Sequence, residues 1–235
     1  MARSKSSTRW LRRHVSDPYV KRAQAQGYRS RAAFKLLEID RKDRLFKPGM
    51  TVVDLGAAPG GWAQVAEEKV KPGGAVIAVD LLEIAPIAGV TVLRGDFREP
   101  QVQERVGAAL DGKKADVVLS DMSPNIAGIS ATDQARAAEL VFTAVEFCQT
   151  HLNLDGAFLV KVFQGERFGE VLAMLKRSFR DVQTRKPAAS RATCNERSRR
   201  SSGSRRTPPR ASRRNGAGKS FRCCCTRTAR TDPVP

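Results

Sequence analysis

Between Lys47 and Lys186, short apolar runs of strand length alternate with longer stretches of helical spacing. Met50–Leu55, Ala75–Asp80, Val90–Leu93, Asp116–Ser120 and Ala157–Phe163 read as strands. The segments near 62–70, 101–110, 132–151 and 167–178 read as helices. That alternation is the signature of βαβ units. The expected fold is therefore α/β and Rossmann-like, a mostly parallel sheet with helices on both faces. At 235 residues the chain suffices for one such domain. No repeat of solenoid length competes with this reading, and no run approaches the eighteen or so apolar residues of a membrane span.

Charge divides the chain into three parts. Lys and Arg number 42 against 24 Asp and Glu, leaving +18, too basic for a typical small-molecule enzyme and pointing to a polyanionic partner. Residues 1–47 carry +10, residues 48–187 carry −3 and residues 188–235 carry +11. In the first block, Ser16-Asp17-Pro18 opens a short helix that Gly27 closes. Ser30 is expected to cap a second helix running to about Asp40, with Ala33, Phe34, Leu37 and Ile39 as its apolar stripe. The Ser- and Arg-rich start has no apolar core of a secretion signal, so it reads as a basic RNA-binding arm of a cytoplasmic protein. From Ala188 to Pro235 there is no Leu, Ile, Met, Trp or Tyr, and the only Val is Val234. Such a segment cannot offset the entropy of ordering it, and a disordered tail is expected. Cys194 and Cys223-Cys224-Cys225 lack the spacing of a zinc site, and no metal is expected. Gly216–Ser220 lacks the first glycine and the preceding strand of a phosphate-binding loop.

The stretch Val52-Val-Asp-Leu-Gly-Ala-Ala-Pro-Gly-Gly-Trp62 carries the most information. A strand ends in Asp54, glycines at 56, 60 and 61 allow close backbone approach to a ligand, and a helix begins near Gly61. The spacing is not that of a dinucleotide fingerprint, and the loop offers a carboxylate where a phosphate site would offer Lys. Asp80 ends the second strand, where a carboxylate can take both hydroxyls of a ribose. Asp96 follows the third and can accept from an adenine amino group, and Asp121 ends the fourth. Four acids after four consecutive strands describe a site for a nucleoside carrying positive charge. S-adenosylmethionine fits it better than NAD.

These stretches resemble those of the FtsJ/RlmE ribosomal RNA 2′-O-methyltransferases, from about Ser7 to Arg191. The carriers are Ser7-Thr-Arg-Trp-Leu11, Arg29-Ser-Arg-Ala-Ala-Phe-Lys35, Asp54–Trp62, Gly95-Asp-Phe-Arg98, Ser120-Asp-Met-Ser-Pro124 and Val160-Lys-Val-Phe-Gln-Gly-Glu166. The resemblance implies a methyltransferase domain over 48–187. It also implies cofactor contacts from Asp54, Gly56, Gly60, Gly61, Trp62, Asp80, Asp96, Phe97 and Asp121. The implied reaction is S-adenosylmethionine-dependent 2′-O-methylation of a ribose, of uridine, in large-subunit 23S ribosomal RNA late in ribosome assembly. The large subunit would be the partner and the enzyme a monomer.

Transfer to a ribose hydroxyl needs in-line positioning and a group to hold or remove its proton. Lys161, at the end of the fifth strand, is the candidate base. A second lysine and the sulfonium charge would disfavour its ammonium form. The resemblance makes Lys35 that second lysine, gives Asp121 the support of Lys161, and places the fourth catalytic residue at Glu196. Around Glu196 the chain departs from the family, with the composition of an out-of-frame GC-rich gene past about Ala192. The final antiparallel strand is therefore expected to be missing. Arg9, Trp10, Arg12, Arg13, Arg29, Arg31 and Lys35 form the expected RNA-binding set, arginines on phosphates and Trp10 or Tyr28 on a base. The same residues would serve a transfer-RNA or messenger-cap methyltransferase, or an inactive RNA-binding assembly factor.

Overall fold

A computed structural model describes residues 17–124 and 130–190, and the backbone of 223–230. Seven strands form one sheet: β1 (Thr51–Leu55), β2 (Ala75–Asp80), β3 (Val90–Arg94), β4 (Ala115–Ser120), β5 (Leu152–Phe163), β6 (Phe179–Arg185) and β7 (Cys223–Arg230). Their order is β3-β2-β1-β4-β5-β7-β6, with β1 to β5 parallel and β7 antiparallel to both its neighbours. The chain reverses direction across the sheet between β1 and β4, the switch point where ligands bind such sheets. The described helices are α1 (Pro18–Ala25), α2 (Ala33–Asp43), α3 (Gly61–Val70), α4 (Pro100–Ala109), α5 (Ser130–His151) and α6 (Phe168–Ser178). None of them is long and apolar enough to cross a membrane.

The period of two along each strand sorts its residues between two cores. Val53, Leu55, Ile77, Val79, Val118, Phe158 and Val160 pack with α4, α5 and α6. Val52, Val76, Ala78, Val117, Leu119 and Leu159 pack with α2 and α3 on the other face. The described part of the N-terminal basic block, residues 17–47, contributes to this second layer, since Ala33, Leu36 and Ile39 of α2, with Leu45 and Phe46, share its core. The α2 stripe is split: Phe34, a turn away, faces α1 and the buried Ala189.

Local signals were read well at most element starts. Asp17 caps α1, its Oδ1 accepting from the Tyr19 amide at 3.0 Å, and Pro18 fills the first turn. Ser30 does not cap α2: the helix starts at Ala33, whose amide donates to the Ser30 carbonyl, and the Ser30 side chain lies against Gly61 instead.

One expectation about the C-terminal part needs correction. The final antiparallel strand is present: Cys223–Arg230 lies between β5 and β6, pairing from Ala157↔Ala229 to Phe163↔Cys223. Within the stretch expected as a disordered tail, the described residues are 188–190, where Ala189 is buried, and the backbone of 223–230. Apolar content is the wrong test for an inserted strand. Two open sheet edges offer unpaired backbone donors and acceptors, and a proline-free run rich in Cys and Thr can complete them.

Candidate active site

The strand ends bring four predicted side chains to one face. Asp54 has the strand parity of Val52, Asp80 that of Ala78 and Lys161 that of Leu159, all on the α2–α3 side, and Asp121, one residue past β4, meets Lys161. Asp54 is fully buried, and neither carboxylate oxygen has a hydrogen-bond partner. Burial, then the charges of Asp121 and Asp80, push its pKa well above the ordinary carboxylate value. A lone buried carboxylate costs several kcal/mol. The pocket therefore calls for a donor or cation beside Asp54.

Asp80 is held from both sides. Its Oδ2 accepts from the Ala58 amide at 2.9 Å and its Oδ1 from the Leu82 amide at 2.8 Å. Each carboxylate oxygen can accept twice, so a pair of ligand hydroxyls remains within its capacity. Lys161 is nearly buried and forms an ion pair, Nζ to Asp121 Oδ1 at 2.8 Å, while also donating to the Asp121 carbonyl. The Asp121 amide donates to the Leu55 carbonyl at 3.2 Å, which fixes the exit of β4 against the end of β1.

The glycine loop is shaped by packing as well as by ligand access. At Gly56, φ is 77° and a Cβ would fall 2.7–2.9 Å from Met122 atoms, two of them backbone, so only glycine lets the two loops meet. Gly61 opens α3 with the Ser30 hydroxyl in the space a side chain would need, and Gly60 lies against Ile87 and Arg29.

Other predicted residues are drawn into different contacts. Trp62 is buried, its Nε1 donating to the Ala32 carbonyl at 2.8 Å, so it ties α3 to the start of α2. Phe97 is also buried, edge-on to Phe147 with centroids 5.3 Å apart. Asp96 is gripped by Arg98, whose Nε lies 3.0 and 3.1 Å from its two oxygens and whose amide donates to Oδ1 at 3.0 Å. These bonds to Arg98 hold the Asp96 pKa below its ordinary value. A ligand amine would share or displace that guanidinium. Arg98, quoted in the Gly95-Asp-Phe-Arg98 motif, was given no role from the sequence, although an Asp-x-Arg turn is a recognisable local pair.

Of the expected RNA-binding set, Lys35 is half-buried in the first turn of α2 and in no ion pair among the described residues. Arg29 donates to the carbonyls of Pro59, Ala85 and Pro86. Arg31 bonds Asp17 and the Ala189 carbonyl. Arg9, Trp10, Arg12 and Arg13 lie outside the described residues, and so does Glu196.

These features suit S-adenosylmethionine. Asp54 lacks a donor that a cationic, amine-bearing molecule would supply, and Asp80 has acceptor capacity for a ribose. Comparison with known proteins points the same way. The family model of FtsJ-like methyltransferases matches residues 28–199. A ribosomal RNA large subunit methyltransferase E of Nitrosospira multiformis is 54% identical over 196 residues, covering 83% of this chain and 95% of the relative. The protein of that name from Chromohalobacter salexigens is 54% identical over 193 residues, covering 82% and 92%. The crystal structure of a ribosomal RNA methyltransferase of Plasmodium falciparum superposes with a TM-score of 0.68 at 25% identity, covering 87% of this chain and 98% of that one.

Proposed function

Because the chain belongs to the FtsJ-like methyltransferase family, we propose that it methylates large-subunit ribosomal RNA, at the 2′-oxygen of a uridine ribose, late in subunit assembly. S-adenosylmethionine supplies the methyl group as a sulfonium. Asp54 and Asp80 hold the donor, with Asp96 at the adenine once Arg98 yields it. Asp121 and Lys161 stand where the acceptor hydroxyl must come. When bound, the donor would supply a methyl group on a sulfonium that keeps the bonding pair as the carbon passes to the ribose oxygen, and a neutral Lys161 amine would take the hydroxyl proton. Asp121, with Oδ1 2.8 Å from Nζ, would neutralise the ammonium so formed. In-line placement of the two reactants is the larger contribution, up to roughly 7–11 kcal/mol, and proton removal adds about 10²–10⁴-fold.

The observation that carries this reading is the Lys161–Asp121 pair beside the partnerless Asp54, on one face of the sheet. The reading extends to a cytoplasmic monomer whose N-terminal basic block meets the RNA, with Lys35 near the reaction. It is tested with labelled S-adenosylmethionine and large subunits from cells lacking this methylation. After alkaline hydrolysis the label should sit in a dinucleotide, because a 2′-O-methyl group blocks cleavage at that ribose. Label recovered in mononucleotides would place the methyl on a base and refute 2′-O transfer. With transfer RNA from the same cells offered in parallel, label entering it and not the large subunits would refute the ribosomal substrate.

A further inference from the structure

We propose that Arg29 is a positioning residue of the cofactor pocket rather than a phosphate ligand; the proposal rests on the methyltransferase reading of the site. Arg29 belongs by sequence to the basic N-terminal block, where an arginine is expected to meet RNA. Its contacts are with the protein. The Arg29 amide donates to Gln64 Oε1 at 2.8 Å, and Gln64 Nε2 donates to the Gly27 carbonyl at 3.1 Å. Both ends of one amide on α3 thus clamp the 27–29 turn.

From that anchor the guanidinium reaches two loops. One terminal nitrogen donates to Ala85 and, at 3.4 Å, to Pro59; the other donates to Pro86 at 2.7 Å. Pro59 adjoins Ala58, whose amide holds Asp80 Oδ2. Ala85 and Pro86 belong to the connection that leaves β2 at Asp80, where Leu82 holds the other oxygen. The glycine loop and the β2–β3 connection pack together where Ile87 lies against Gly60, and hydrogen bonds tie them at two places, the Asp80 carboxylate and the Arg29 guanidinium. Together these two ties set the width of the slot between the loops. A planar fork can serve carbonyls on both loops at once, which a lysine ammonium on its flexible stem cannot reproduce.

The test uses the full-length chain and the variants Arg29→Lys and Arg29→Gln. Affinity for S-adenosylhomocysteine is measured by calorimetry, affinity for a ribosomal RNA fragment at several salt concentrations, and backbone hydrogen exchange without ligand. Both variants should bind S-adenosylhomocysteine about tenfold more weakly, with faster exchange in 56–61 and 81–88. Arg29→Lys should keep the RNA affinity of the parent, and the salt slope should be unchanged in both. Should Arg29→Gln fail to fold, the lysine variant still decides, because a phosphate ligand tolerates lysine and would leave cofactor affinity intact. Unchanged cofactor affinity, with a salt slope lowered by about 0.7 in Arg29→Gln, would overturn the proposal. Equal losses of cofactor and RNA affinity would overturn it too, since Arg29 would then only hold the fold together. Hydrogen exchange needs no ligand: a parent chain that bound no cofactor would refute the reading of the site, while unaltered exchange in the two loops would refute the role of Arg29.

Discussion

Asp54 opposes folding of the empty chain and supports binding of the donor. Its raised pKa means that the folded state holds the proton more tightly than the unfolded state. That contribution is complete below the ordinary carboxylate value near 3.8 and is lost as pH rises through the folded value. Asp54→Asn should therefore melt higher than the parent at neutral pH without cofactor. The gain should be absent near pH 4 and grow toward about pH 8, while affinity for S-adenosylhomocysteine falls at least about tenfold. Melting curves across that range, with one calorimetric titration, check both halves; a variant no more stable than the parent at any pH would refute the account of Asp54. Asp54, Asp80, Asp121 and Lys161 were legible because strand ends and strand parity are written in the pattern. The grip of Arg98 on Asp96 and the inward packing of Trp62 and Phe97 were not, because they depend on which neighbour each side chain finds after folding.

At the scale of elements, the loops at the switch point are held by contact as tight as that inside the core. Gly56→Ala would force a Cβ against the Met122 backbone at positive φ. It should cost about 1–3 kcal/mol in urea unfolding; a loss below 0.5 kcal/mol would show that the two loops separate freely. Four helices and five parallel strands followed from periodicity within a few residues. β6 was not expected, since Phe179-Arg-Asp-Val-Gln-Thr-Arg185 is an outer strand with few buried residues and reads as polar connection. β7 was missed for a related reason: its run of Cys, Thr and Arg carries no apolar strand signal, and what joins it to the sheet is the backbone ladder to β5 and β6.

For the molecule as a whole, residues 17–47 of the basic N-terminal block are built onto the methyltransferase layer. Asp43 pairs with Arg185 at 2.9 Å, Glu38 accepts from the Ala188 amide at 2.7 Å, and Arg31 reaches the Ala189 carbonyl. The helices that carry Lys35 are thereby joined to the exit of β6, itself paired to β7. Truncation after Ser190 should leave β5 and β6 without their shared neighbour. The melting temperature should fall by about 5 °C or more, given about 2–4 °C per kcal/mol in a domain of this size, and exposed edges should promote association seen by size-exclusion chromatography. A truncated chain that melted and eluted as a well-behaved equivalent of the parent would deny β7 a part in the fold. The central claim, that the strand-end cluster is a methyl-transfer site served by Lys161, is tested most directly by the initial rate on undermethylated large subunits for the parent and Lys161→Ala. The account expects the variant to lose about 10²-fold or more in rate while binding S-adenosylhomocysteine within a few-fold of the parent. A variant that transferred methyl at the parental rate would contradict it.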